Sequence, residues 1–107
     1  MIAHSVEEIH VNSDFLAMND DFVIGHIIAH EYVHITDMLE LGIYYADEWN
    51  GTIEHYRSEI KAYRNGLSLY NDFGMNMLPN LEADTQMIEC YTLQINQILS
   101  DIPSYGC

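Results

Sequence analysis

Basic residues are nearly missing from this sequence. Three Lys or Arg face seventeen Asp or Glu in 107 residues, for a formal net charge of -14. Such a surface repels phosphate backbones and anionic bilayers, which sets nucleic acid and membrane aside as partners. It attracts divalent cations and basic polypeptides, besides keeping the chain in solution. Cysteine is scarce too. Cys90 and Cys107 are too few for a disulfide framework, so a reduced, intracellular protein is expected. No charged-then-apolar leader opens the chain. No apolar run is long and uncharged enough to span a bilayer. Together these point to the cytoplasm. No repeat, low-complexity tract or linker divides the chain, which suggests one domain, residues 1–107, with one modest core.

What is present centres on His30-Glu31-Tyr32-Val33-His34. This is H-E-x-x-H, a metal-binding pattern with a mechanical reason behind it. Helical residues four apart stack on one face, so both imidazoles can share one ion. Glu31 can then reach a water on that ion without being a ligand itself. The surrounding run, from about Asp20 to about Leu41, has helical length. Asn19, Asp20 and Asp21 are available for its start, and Gly42 is placed for its stop. Apolar residues surround it except for a strip of His26, His30, His34 and Asp37, so a central, buried helix is expected. Buried imidazoles without partners are costly, and metal coordination satisfies them. The plainer alternative is a set of core histidines bonded to backbone, which would have to explain both histidines and Glu31 at once.

The rest reads as mainly α, with about three helices packed around the H-E-x-x-H helix and a short N-terminal strand or hairpin. Residues 5–11 alternate roughly around Val6, Ile9 and Val11 and predict a short strand. Asn12-Ser13-Asp14 is a turn signal, and residues 15–18 are too short to assign. Residues 42–51 connect two helices. Their Tyr44, Tyr45 and Trp49 either rim a cleft or cover the core. A second helix is expected over residues 52–72, ending near Gly74, with a stripe of Ile53, Tyr56, Ile60, Tyr63, Leu67 and Tyr70. Pro79 introduces a third, residues 80–99, with Leu81, Ile88, Tyr91, Ile95 and Ile98 on one face. No chemistry is evident in that third helix. Residues 102–107 form a tail.

A catalytic zinc takes three protein ligands plus water, so two histidines leave it one short. Candidates are His26, Asp37, Asp47, Glu48, Glu54, His55 and Glu59. His26 and His34 are separated by about 12 Å of helix, too far to meet one ion. His26 and Asp37 suit supporting positions beside the ligands. On the second helix, at roughly 100° per residue, Glu59 falls at the edge of the apolar stripe beside Ala62 and Gly66. Glu54 falls on the flank of Arg57, Lys61 and Arg64, a solvated face. Glu59 is therefore the expected ligand and Glu54 a surface residue.

With His30-Glu31-Tyr32-Val33-His34 on one helix and Glu59 on the next, 25 positions beyond His34, residues 20 to about 70 resemble the gluzincin group of zincin metallopeptidases. The resemblance implies Zn2+, hydrolysis of a peptide or protein substrate, and Glu31 as general base. Tyr63 and His55, one turn either side of Glu59, are candidates to stabilise the oxyanion. Gluzincins usually place a several-stranded sheet before the motif helix. Here about twenty residues precede it, which suggests a minimal member or a core fragment. Two other readings stand beside the enzyme. One is a zinc-binding interaction module without turnover. The other is a dinuclear carboxylate bundle, for which Glu31-x-x-His34 would need a second helical copy. Glu7-Glu8-Ile9-His10 is that copy by spacing, but it falls in the expected strand. The substrate's identity and the oligomeric state are not written in the sequence.

Overall fold

The computed structural model describes residues 2–18, 21–73, 78–104, 106 and 107, with side chains excluded at 21, 22, 70–73 and 78–81. Among the described residues the chain is mainly α-helical, with four helices and a two-stranded antiparallel hairpin at its N-terminal end. It divides into two compact units, Met1–Asn50 and Gly51–Cys107.

The first unit opens with β1 (Ile2–Ser5) and β2 (Glu8–His10), paired antiparallel with Ile2 opposite His10 and Ala3 opposite Ile9. A single strand over residues 5–11 is not formed. Val6 and Glu7 make the turn, and the Ser5 hydroxyl accepts the Glu7 N–H at 3.2 Å. A serine holding the backbone two residues on favours reversal, and each strand is too short to show alternation. Asn12, expected in a turn, caps a short helix instead. Its side-chain oxygen accepts the Asp14 N–H at 2.8 Å at the start of α1 (Ser13–Met18).

Next comes α2 (Asp21–Leu41), which carries the H-E-x-x-H run. Asn19 and Asp20, expected at its start, lie outside the described residues. Its end is fixed by Gly42. The Ile43 N–H reaches Met38 O at 2.9 Å and the Gly42 N–H reaches Leu39 O at 3.3 Å, with Gly42 at φ 72°. This is a Schellman stop, which needs a left-handed residue at that place. A 3₁₀ turn, Ala46–Glu48, follows. The core of this unit is Ala3, Ile35, Met38 and Trp49, with Val6, Ile9, Ile43 and Ala46 packed on it. Trp49 therefore covers the core, whereas Tyr44 and Tyr45 are exposed. Burial of α2 is one-sided, unlike the all-round burial its composition suggests. His26, Glu31, His34, Ile35 and Met38 are buried, while Ile28, Tyr32, Leu39 and Leu41 face solvent.

The second unit is α3 (Ile53–Phe73) packed on α4 (Leu78–Leu99). The Thr52 hydroxyl accepts the His55 N–H at 3.2 Å and caps α3. The expected end near Gly74 lies outside the described residues. Tyr56, Ser58, Glu59, Ala62 and Gly66 form the buried side of α3, and the small residues among them admit a close neighbour. Pro79 is the second residue of α4, where its missing N–H is harmless.

The tail is held rather than loose. Asp101, at φ 58°, reverses the chain, with the Ile102 N–H on Gln97 O at 2.8 Å. Residues 102–104, 106 and 107 return along α4. Buried Gln94 accepts hydrogen bonds on its side-chain oxygen from the Ser104 hydroxyl and from the Gly106 N–H. One turn earlier, Cys90 is disulfide-bonded to Cys107. The expectation of two reduced cysteines is thus corrected. Pairing depended on the reversal at Asp101, which cysteine number alone does not reveal.

Candidate metal centre

His30 and His34 are one helical turn apart on α2 and their Nε2 atoms lie 3.3 Å from each other. Two bonds of about 2.0–2.1 Å meeting at the tetrahedral angle place their nitrogens roughly 3.3 Å apart. The pair therefore already has the separation of two imidazole ligands on one metal ion. Without an ion, the same distance suits one imidazole N–H donating to the other. The rings are nearly perpendicular, at 77°. Trp49 sets the His34 ring from the other side, edge to face with centroids 6.0 Å apart. A buried indole at that position leaves His34 little rotational freedom.

Glu31 is buried. Its Oε2 accepts the backbone N–H of Ala3 in β1 at 2.9 Å. A buried carboxylate needs such donors, and this one fixes the side chain from a second element. A strand residue thus holds the central glutamate of the motif helix. His26 is buried one turn and a little before His30, and Asp37 is half-buried beyond His34. Asp47 and Glu48 of the 3₁₀ turn are exposed, and Glu48 Oε2 accepts the Tyr44 N–H at 3.3 Å. Neither has the burial of a preformed ligand.

In the second unit, Glu59 is buried and Glu54 is exposed. Tyr91 of α4 hydrogen-bonds to Glu59, and its pKa is raised by burial first and then by the Glu59 charge and that hydrogen bond. Tyr63 stacks on Tyr91 with centroids 6.3 Å apart, and Tyr56 tilts against it at 5.3 Å. Two tyrosines thus flank Tyr91, the carboxylate's hydroxyl donor. His55 lies in the first turn of α3 beside Tyr56, and its Nδ1 accepts the Gly51 N–H at 3.4 Å. The structure therefore brings His30, Glu31 and His34 together on α2, and gathers Glu59, Tyr63 and Tyr91 in the other unit.

On the third of the expected helices, where the sequence shows no evident chemistry, Tyr91 meets the Glu59 carboxylate. A signal for it existed. A tyrosine within an apolar stripe must find a partner for its hydroxyl, and a carboxylate on the neighbouring stripe is the natural acceptor. The three basic residues form another feature of this unit. Arg57, Lys61 and Arg64 line an open groove of about 460 Å³ with Ile60 and Thr92.

No family model, curated protein or solved structure matches the chain. Its function is accordingly argued from the residues alone.

Proposed function

We propose that this chain is a zinc-dependent peptide hydrolase of the gluzincin kind. His30, His34 and Glu59 are its zinc ligands, and Glu31 is its general base. The observation that carries the reading is the His30–His34 nitrogen separation of 3.3 Å with a fixed glutamate between them. Support for Glu59 comes from its burial, its tyrosine donor and its position on the helix after the motif. A carboxylate oriented by a neighbouring hydroxyl is the usual partner arrangement of a metal ligand.

A bound zinc ion supplies Lewis acidity toward a scissile carbonyl and acidifies water in its open position. Glu31 has one carboxylate oxygen held by Ala3 N–H. Its other oxygen takes the proton of the attacking water and returns it to the leaving amine. Tyr63 and His55 are the proposed donors to the developing oxyanion. The net charge of -14 favours a basic or unstructured polypeptide as substrate. The Cys90–Cys107 bond removes cysteine scarcity as a reason for a reducing compartment, so no compartment enters the proposal.

The Glu31–Ala3 bond also favours a second reading. It gives Glu31 a structural task, as in a zinc-binding interaction module without turnover. The deciding experiment is zinc analysis of the purified chain together with cleavage of an unstructured basic polypeptide. Hydrolysis that disappears with chelator and in Glu31→Gln supports the enzyme. Stoichiometric zinc without cleavage supports the module. Absence of zinc under zinc-replete conditions overturns both.

A further inference from the structure

Among the described residues, ligand-type side chains also converge on the N-terminal hairpin, away from the motif pair. We propose that His4, Glu8 and His10 form a separate site for a borderline divalent transition cation, zinc or copper(II).

Glu8 and His10 are two apart on β2 and so project from the same face. The pairing slips between Ala3 and Ser5, which makes His4 an extra residue in β1. A bulge of that kind re-aims a side chain. Here it lays the His4 imidazole flat on that of His10, with centroids 4.6 Å apart and planes 14° from parallel. Glu8 Oε2 is 3.2 Å from His10 Nε2. One ligand atom from each of the three residues lies within 4.8 Å of the others. Donors around a tetrahedral ion are roughly 3.3 Å apart, so closure needs separations to shorten by up to about 1.5 Å. The His10 and Glu8 side chains are 56% and 62% exposed and can make that movement without repacking a core.

The donor set decides the class of ion. Two imidazoles and one carboxylate suit zinc or copper(II), whereas calcium and magnesium prefer all-oxygen shells. The acidic surface raises the local cation concentration. The site also has a consequence for the motif helix. His4 is the neighbour of Ala3, whose N–H holds Glu31. An ion on the hairpin therefore stiffens the strand that positions Glu31. The competing account is a brace, in which stacking and the Glu8–His10 hydrogen bond serve the hairpin with no ion.

The test is a titration of the full chain with Zn2+, followed by the imidazole C–H resonances of each histidine and by calorimetry. The expected result is that His4 and His10 respond together. The His4→Asn/His10→Asn variant then binds one equivalent fewer and keeps the His30 and His34 response. Exchange of the Ala3 amide should slow when the hairpin is loaded. A response confined to His30 and His34, or an unchanged stoichiometry in the double variant, overturns the site in favour of the brace. Unaltered Ala3 exchange at full loading overturns its link to Glu31. A response at His4 and His10 with none at His30 and His34 would instead refute the motif centre and leave this site standing. Reading each histidine in the wild-type chain keeps the test valid if a variant fails to fold.

Discussion

Substituting Glu31 in two ways separates its structural task from its chemical one. Glu31→Ala removes the acceptor of the Ala3 N–H and leaves a buried donor without a partner, since Ala3 is 6% exposed. Such a loss costs about 1–3 kcal/mol. At about 4–8 °C per kcal/mol for a chain of this size, Tm should fall by roughly 4–24 °C. Glu31→Gln keeps an acceptor, because the amide oxygen can receive the same N–H. It loses charge assistance, about 1 kcal/mol, and gains relief from burying a carboxylate. Its Tm should stay within roughly 5 °C of wild type. Zinc content should be unchanged in Glu31→Gln, because the Glu31 carboxylate is engaged by Ala3. Hydrolysis of an unstructured basic polypeptide should fall by about 10²–10⁴. Thermal melting, metal analysis and the cleavage assay on the three proteins read all of this. The reasoning is refuted if Glu31→Gln sheds zinc while Glu59→Ala keeps it, since Glu31 would then be the ligand. Equal Tm values for Glu31→Ala and wild type would separately refute the tether to β1.

Other expectations follow from the same geometry. Glu59→Ala should weaken zinc binding strongly and Glu54→Ala should leave it nearly unchanged; zinc titration of both checks this, and the reverse order would sink the ligand assignment. Tyr91→Phe should weaken zinc binding by about 10–100-fold if its hydroxyl orients Glu59, measured by competition with a chelator, and equal affinity would remove that role. Tyr91 has a pKa raised above 10.0 in the fold, so stability from this group is intact below pH 10 and declines as pH rises toward the folded pKa. Denaturant titrations between pH 8 and about 11.5 should therefore show a shallower alkaline loss in Tyr91→Phe than in wild type. Reduction of Cys90–Cys107, which are 17 residues apart, should cost about 3 kcal/mol and expose the tail to proteolysis; an unchanged Tm with reductant would show that the Gln94 hydrogen bonds alone hold it.

The sequence by itself determined what is decided within a few residues of the chain. H-E-x-x-H fixes the pairing of His30 with His34, because one helical turn separates them whatever surrounds the helix. Gly42 fixes where α2 stops, because the left-handed residue of a Schellman stop is cheap only for glycine. The helical turn of roughly 100° per residue separated Glu59 from Glu54 on opposite flanks of α3, and the burial of one and exposure of the other follow that division. Tertiary structure decided everything that joins distant residues. Ala3 and Glu31 are 28 positions apart, and nothing in either segment names the other. Tyr91 and Glu59 meet only because α3 and α4 pack in one particular register. Cys90 finds Cys107 because the chain reverses at Asp101. The run over residues 5–11 became a turn and half a hairpin because a strand is defined by its partner as much as by its own alternation. For α2, periodicity marked a polar strip and an apolar remainder. It did not reveal that Ile28, Tyr32 and Leu39 would stay exposed while His26 and His34 were buried as expected. A helical period names faces, but which face is covered depends on neighbours whose placement is a property of the whole chain.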